Sequence, residues 1–196
     1  MRRNIIVLAF ALLSISGTAA AQERGHVAGV FGWTFGQETA TMYGAQVGVG
    51  INANIQIIGG VEKLQDVLTG RFALLLQNIA ALPNTTVQGE IPATYGGVGA
   101  RFTFPGLTAS PFLEVQMGAT QMDPTGLMIL SDGDDVTDAV FDLQKSTNFT
   151  FVIGAGARFD VSEHVLVETT FKFFDILAEN DDISLNRINI AVGVRF

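Results

Sequence analysis

Few side chains in this sequence could act as a nucleophile or a general base. Its two histidines are His26 and His164, and it has no cysteine. Ser162 lies two positions before His164, in the stretch "DVSE" at 160–163. A serine near an imidazole is raw material for acyl transfer, which needs nucleophile and base within hydrogen-bond reach and a third group to orient the base. Here both residues belong to a polar turn, and the next residue of the same parity as His164 is Leu166, which is no nucleophile. The pair reads as solvated turn residues. Carboxylates concentrate in "SDGDDVTD", 131–138. The run looks like a calcium loop, but it lacks the D-x-D-x-D-G order and the closing Glu of an EF-hand. It reads as a solvated acidic surface loop, with "DDVTDAVFDL" capable of a short helix. No metal and no cofactor are expected.

The charges that do form a pattern are Arg101, Glu114, Arg158, Glu168, Lys172 and Arg195. None of them has a charged residue as its immediate neighbour. Their role depends on the elements that carry them. Apolar residues alternate with small or polar ones along the chain. Tyr43, Ala45, Val47, Val49 and Ile51 share one parity, and Gly44, Gln46, Gly48 and Gly50 the other. Phe149, Phe151, Ile153, Ala155, Ala157 and Phe159 alternate with Thr150, Val152, Gly154, Gly156 and Arg158. A period of two means strands with two different faces. The pattern predicts eight strands, at about 26–35, 41–51, 55–63, 95–104, 112–122, 147–159, 164–174 and 185–196. Turns at 52–54, 105–111 and 160–163 follow the second, fourth and sixth. Longer loops follow the third, fifth and seventh, while "GQETA" after the first is short.

Strands of this length and number, with short turns at one end and mostly long loops at the other, predict an all-β fold: an eight-stranded antiparallel transmembrane β-barrel. The barrel must close, with the first strand pairing with the eighth, because an open edge in lipid leaves backbone groups unsatisfied. The large residues, Phe, Ile, Val and Trp33, then face lipid. Gly, Thr, Gln, Glu and Arg face a narrow lumen. The six charges above share that inner face. Glu168 and Lys172 lie four apart on one strand, and Arg101 and Glu114 flank one short turn. Charges in a narrow lumen must pair. The plain reading is a structural ion-pair network, and the alternative is a gated conductance in which pairs exchange partners.

The ends of the chain carry an address. Arg2 and Arg3 precede the apolar run "IIVLAFALL" at 5–13, and Ala19 and Ala21 offer a cleavage site before Gln22. This predicts a cleaved secretory signal over 1–21 and one barrel domain over 22–196. The chain has 11 Lys and Arg against 19 Asp and Glu, a net charge of −8, and loss of Arg2 and Arg3 makes it more acidic. That excludes nucleic acid as a partner class. The phrase "GVGARF" (97–102) recurs as "GAGARF" (154–159) and as the terminal "AVGVRF" (191–196). All three close strands that run toward the short turns, so one physical context recurs. Phe102, Phe159 and Phe196 are expected in an outward aromatic girdle. Arg101, Arg158 and Arg195 are expected inward, with Gly99, Gly156 and Gly193 leaving room for long side chains from opposite strands.

With "PATYGGVGARFTFPG" through "SPFLEVQMGAT", "FVIGAGARFDVSEHVLVETTFKFF" and the terminal "INIAVGVRF", the chain resembles the opacity-protein and OmpA-like family of eight-stranded bacterial outer-membrane barrels. The resemblance covers nearly the whole of 22–196 in layout. It implies periplasmic turns, extracellular loops and residence in the outer membrane. It also implies that Phe196 resembles the terminal signal read by the barrel-assembly machinery; with the sequence stopping there, the peptidoglycan-binding module found in some relatives is not expected. The loop at 64–94 stands out, because "GRFALLLQNIAAL" puts Phe72, Leu75, Leu76 and Ile79 at helical spacing before Pro83. A short helix is expected there, packed on the barrel rim or mouth. The function expected is structural or one of surface interaction, as a monomer contacting outer-membrane lipids and, through its long loops, an extracellular partner. A narrow small-solute channel is the alternative, and a lipid-modifying enzyme, which would want its polar triad at the long-loop end, the least favoured.

Overall fold

Alternation is carried through almost without error into three dimensions. Along the last strand every second residue from Ile183 to Gly193 is buried and every intervening one exposed. The computed structural model describes residues 25–35, 39–67, 77–88, 91–104, 109–124, 128–137, 145–177 and 183–196; the expected signal segment 1–21 lies outside them. Eleven strands are present among these: β1 (His26–Phe35), β2 (Ala40–Gly50), β3 (Ile55–Leu64), β4 (Thr85–Gln88), β5 (Ala93–Thr103), β6 (Ser110–Met122), β7 (Met128–Ser131), β8 (Asp134–Asp135), β9 (Ser146–Asp160), β10 (Val165–Leu177) and β11 (Ile183–Arg195). Eight of them close into an antiparallel barrel in the order β1, β11, β10, β9, β6, β5, β3, β2. Closure is by β1 against β11, with Val27 opposite Val194 and Phe31 opposite Ile190. No described helix is long and apolar enough to cross a membrane, so the strands alone form the wall.

The outward face is apolar along its height. Val61, Val98, Met117, Ile153, Phe171, Ile188 and Val192 are all exposed on it, as a lipid-facing wall requires. Phe102, Phe104, Phe159 and Phe196 lie exposed toward the short-turn end. Trp33 packs edge-on to Phe31 at 5.0 Å toward the other end.

The short turns are built by side chains. Asn52 Oδ1 accepts from the backbone N of Asn54 and of Ile55, both at 2.9 Å. Ser162 Oγ does the same for His164 (3.3 Å) and Val165 (3.1 Å). These are the local side-chain-to-backbone bonds that Asn and Ser favour in turns. At the opposite end only 65–92 and 123–145 are long connections. The loop expected to be long after the seventh barrel strand shrinks to 178–182, because β10 continues to Leu177 and β11 begins at Ile183.

The two long connections contain structure that periodicity did not predict. β4, β7 and β8 form a separate three-stranded sheet in that order. β7 and β8 are joined through Asp132 (φ 55°) and Gly133 (φ 92°). Both central residues are left-handed, which Asp-Gly supplies in a two-residue hairpin. The segment read as a solvated acidic loop is thus a tight hairpin. The short helix expected in "DDVTDAVFDL" is present only as Thr137 among the described residues, 138–144 lying outside them. Of the helix expected before Pro83, residues 77–80 are helical. Ile79 is half-buried there, and Phe72, Leu75 and Leu76 lie outside the described residues.

Candidate functional site

Inside the barrel, inward glycines stand opposite large inward side chains on the neighbouring strand. Gly48 faces His26, Gly44 faces Glu62, and Gly32 faces Asn189. Gly154 lies between Glu114 and Lys172, and Gly156 faces Phe112. A Cβ at Gly154 would come within 2.9 Å of Glu114 Cγ, and one at Gly156 within 2.6 Å of Phe112 Cζ. The space that glycine leaves is therefore filled by directly paired neighbours. Gly99 faces Gln116 and Gly193 faces the small Ala28; at Gly156 the room goes to Phe112 of the neighbouring strand rather than to a side chain from across the barrel. The physical reason is that a Cβ position on a pleated strand lies closest to the residue directly across the ladder.

The charged side chains fill this space as one chain of alternating sign. Arg158 Nε lies 2.8 Å from Glu168 Oε1, and Arg101 Nη1 is 2.7 Å from the same oxygen. Arg101 turns its Nη2 and Nε to Glu114 Oε2, at 2.8 and 3.1 Å. Lys172 Nζ is 3.1 Å from Glu114 Oε1 and 3.3 Å from Glu62 Oε1. Arg187 Nη2 ends the chain on Glu62 Oε2 at 2.6 Å. All seven residues are buried. Three glutamines complete the bonding: Gln46 donates to Glu168 (2.7 Å), Gln116 to Glu114 (3.1 Å), and Gln56 accepts from Arg158 Nη2 (3.0 Å). Buried charge survives only where lone pairs and protons are matched in this way.

Toward the long-loop end the filling changes character. Arg187 stacks its guanidinium 3.1 Å from the Phe174 ring centroid, and Tyr95 meets the same ring edge-on at 5.1 Å. Beyond them Met42, Leu64, Val152, Ile176, Ile183 and Leu185 are buried together as an apolar cluster. Val67 N donates to Ile91 O at 3.0 Å across the base of the long 65–92 connection, and both side chains join that cluster.

Five of the six charges singled out in the sequence meet in this chain. Arg101 pairs with Glu114 across one ladder, as the turn between them implies. Glu168 and Lys172 share a strand face but take different partners. Arg195 does not join. Its position is inward by parity, yet it stands at the last step of β11, where it pairs with exposed Asp160 at the rim; the lumen has ended there. Glu62 and Arg187 were missed. Ile57 and Ile58 are adjacent and blur the alternation of β3, although Glu62 shares the parity of Gln56. Arg187 was visible as an inward residue of the last strand. Phe174 is inward and buried. Phe196 is 58% exposed, and its N donates to Gly25 O at 3.0 Å, tying the last residue to the start of β1.

His26 is buried with Nε2 unpartnered, and His164 is exposed in its turn. The two sit at the short-turn ends of β1 and β10, and the Ser162 hydroxyl is engaged by backbone donors. No group of three or more His, Asp or Glu side chains that could hold a metal occurs among the described residues.

Solved structures share the fold, three of them as follows. Neisserial surface protein A is 12% identical, with 91% of this chain and 98% of that one covered and a TM-score of 0.55. The N-terminal β-barrel domain of Pseudomonas aeruginosa OprF is 14% identical, covering 90% and 100%, with a TM-score of 0.54. Ail, the attachment invasion locus protein of Yersinia pestis, is 11% identical, covering 91% and 100%, with a TM-score of 0.52. At such identities the likeness concerns the fold alone. No curated protein sequence matches the chain significantly. The model of the outer membrane protein β-barrel domain matches residues 5–196. With the closed eight-stranded wall, its lipid-facing apolar surface and its charged interior, the chain belongs to that family of bacterial outer-membrane barrels.

Proposed function

We propose that this protein is a non-catalytic, monomeric outer-membrane barrel with a structural or surface-interaction role, its lumen closed by ion pairs. The observation that carries the reading is the continuous buried chain from Arg158 to Arg187, overlain by the apolar cluster at the long-loop end. An ion crossing the barrel would have to break paired buried charges and then enter a packed apolar layer, and each step is costly. The β4–β7–β8 sheet, built from two connections, supports the surface role: it holds a folded platform beyond the wall for an extracellular partner. In this reading 1–21 is a cleaved signal, outer-membrane lipids contact the wall, and the barrel-assembly machinery reads Phe196. The structural lumen network comprises Arg101, Glu114, Arg158, Glu168 and Lys172, joined by Glu62 and Arg187.

A narrow small-solute channel is the second reading. The unpartnered polar atoms of His26 and Asn189 favour it, since buried polar groups of that kind call for water. Planar-bilayer recording of the refolded protein separates the two. The sealed barrel is expected to give a flat baseline under applied voltage. Reproducible single-channel steps would overturn it in favour of the channel.

A further inference from the structure

The buried charges in the lumen do not balance. In order of contact they run Arg158, Glu168, Arg101, Glu114, Lys172, Glu62, Arg187. The series begins and ends on a cation, so four positive groups share three carboxylates among the described residues. Arg101 and Lys172 each bridge two carboxylates, whereas the terminal arginines each reach one. Arg158 lies near the short-turn end, is partly open to solvent at 7% exposure, and spends its second arm on Gln56. Arg187 is completely buried. Its Nη1 points at a weak acceptor, Met42 Sδ at 3.5 Å, and its Nε has no partner. Two positions along the same inward face of β11 stands Asn189, 2% exposed, with neither Nδ2 nor Oδ1 bonded. The Asn189 side chain leans over Gly32, its Oδ1 2.6 Å from where a Cβ would stand, and Thr170 on the other flank is small.

We propose that the lumen holds a small monovalent inorganic anion, chloride in the cell envelope, bound by Arg187 Nε–H and the Asn189 amide as the counter-ion that completes the network. An uncompensated buried cation is strongly unfavourable, and buried donors without partners call for an ion or water. Water satisfies donors but cannot cancel the surplus charge. A halide does both, and it is spherical, so two donors from successive inward positions of one strand suffice to hold it. A second carboxylate would serve equally, and none is buried beside Arg187 among the described residues except Glu62, which Lys172 shares. The inference rests on the lumen being closed as proposed above.

Two measurements test it. Crystals of the refolded protein grown with bromide replacing chloride are expected to show an anomalous peak within hydrogen-bond reach of Arg187 Nε and the Asn189 amide. Water alone at that position, or a carboxylate from elsewhere in the chain, would overturn the proposal. In solution, the urea midpoint of the barrel in lipid vesicles is expected to rise with chloride or bromide and then level off as the site fills. Gluconate at equal ionic strength, too large to enter, is expected to have no such effect. Asn189→Asp places a fixed carboxylate beside Arg187 and is expected to fold with its midpoint independent of halide. The same halide response in wild type and Asn189→Asp, or none in wild type, defeats the idea. If the variant does not fold, the wild-type bromide crystal still decides. Conductance in planar bilayers would instead strike at the closed lumen itself, so the two failures are distinguishable.

Discussion

Arg101 and Glu168 stand on strands that share no ladder, yet their charged groups meet at 2.7 Å inside the barrel. Glu168 also holds Arg158, and Arg101 also holds Glu114. One contact thus ties the β5–β6 side of the wall to the β9–β10 side. It makes the interior a single cross-linked layer rather than a set of local pairs.

That coupling has a measurable form. Glu114→Ala leaves Arg101 and Lys172 each short of a partner, and breaking a buried pair costs about 3–5 kcal/mol. Adding Arg101→Ala is expected to recover only part of the loss, since Lys172 stays under-paired and Glu168 loses a donor. The control is Val98→Leu on the lipid face, expected to lie within about 0.5 kcal/mol of wild type. Urea unfolding in lipid bilayers reads all three. A Glu114→Ala barrel as stable as Val98→Leu would show that the layer is not coupled.

The glycine rule predicts opposite outcomes for one substitution at two places. Gly156→Ala drives a methyl to within 2.3 Å of Thr169 O and 2.6 Å of Phe112 Cζ, and the backbone oxygen cannot retreat. Overpacking of that kind costs about 1–3 kcal/mol. Gly29→Ala meets nothing within 4 Å and is expected to be neutral or mildly stabilising. Comparable unfolding midpoints for the two variants would contradict the rule.

Assembly turns on the final residue. Phe196→Asp is expected to reduce insertion into the outer membrane more than Phe104→Asp. Both rings are exposed near the short-turn rim, so a merely lipophilic role would make the two equal. The readout is the folded, heat-modifiable fraction in isolated outer membranes.

The loop hairpin carries a pH signature. Asp135 accepts from the Thr137 hydroxyl (2.5 Å) and backbone N (3.0 Å). The Thr137 hydroxyl, then its backbone N–H, hold the Asp135 carboxyl below its ordinary value. A depressed folded pKa means that the contribution is present above the unfolded value and is lost as pH falls through the folded one. Amide exchange at Thr137 is therefore expected to speed up only in strong acid, below the usual aspartate range, and Asp135→Asn to remove that step. An unchanged acid step in Asp135→Asn would assign it to another group.

What the sequence determined by itself is the wall. Alternation is a local property, so the outward apolar set, the inward polar set and the eight barrel strands follow from parity alone, and β11 obeys it residue by residue. The Asp132-Gly133 hairpin was also legible, since Asp-Gly is a turn signal, but the density of acidic residues around it favoured the reading as a solvated loop. Arg101 and Glu114, flanking one short turn, were a legible pair; which inward residues touch across the lumen was not. Arg101 meets Glu168 from 67 positions away, and Lys172 meets Glu62 from 110. Those meetings depend on how the ladders are staggered when the sheet closes, a quantity no single strand encodes. Closure also set the height at which the lumen ends. That is why Arg187 is buried in the network while Arg195, of the same parity on the same strand, is left at the rim with Asp160.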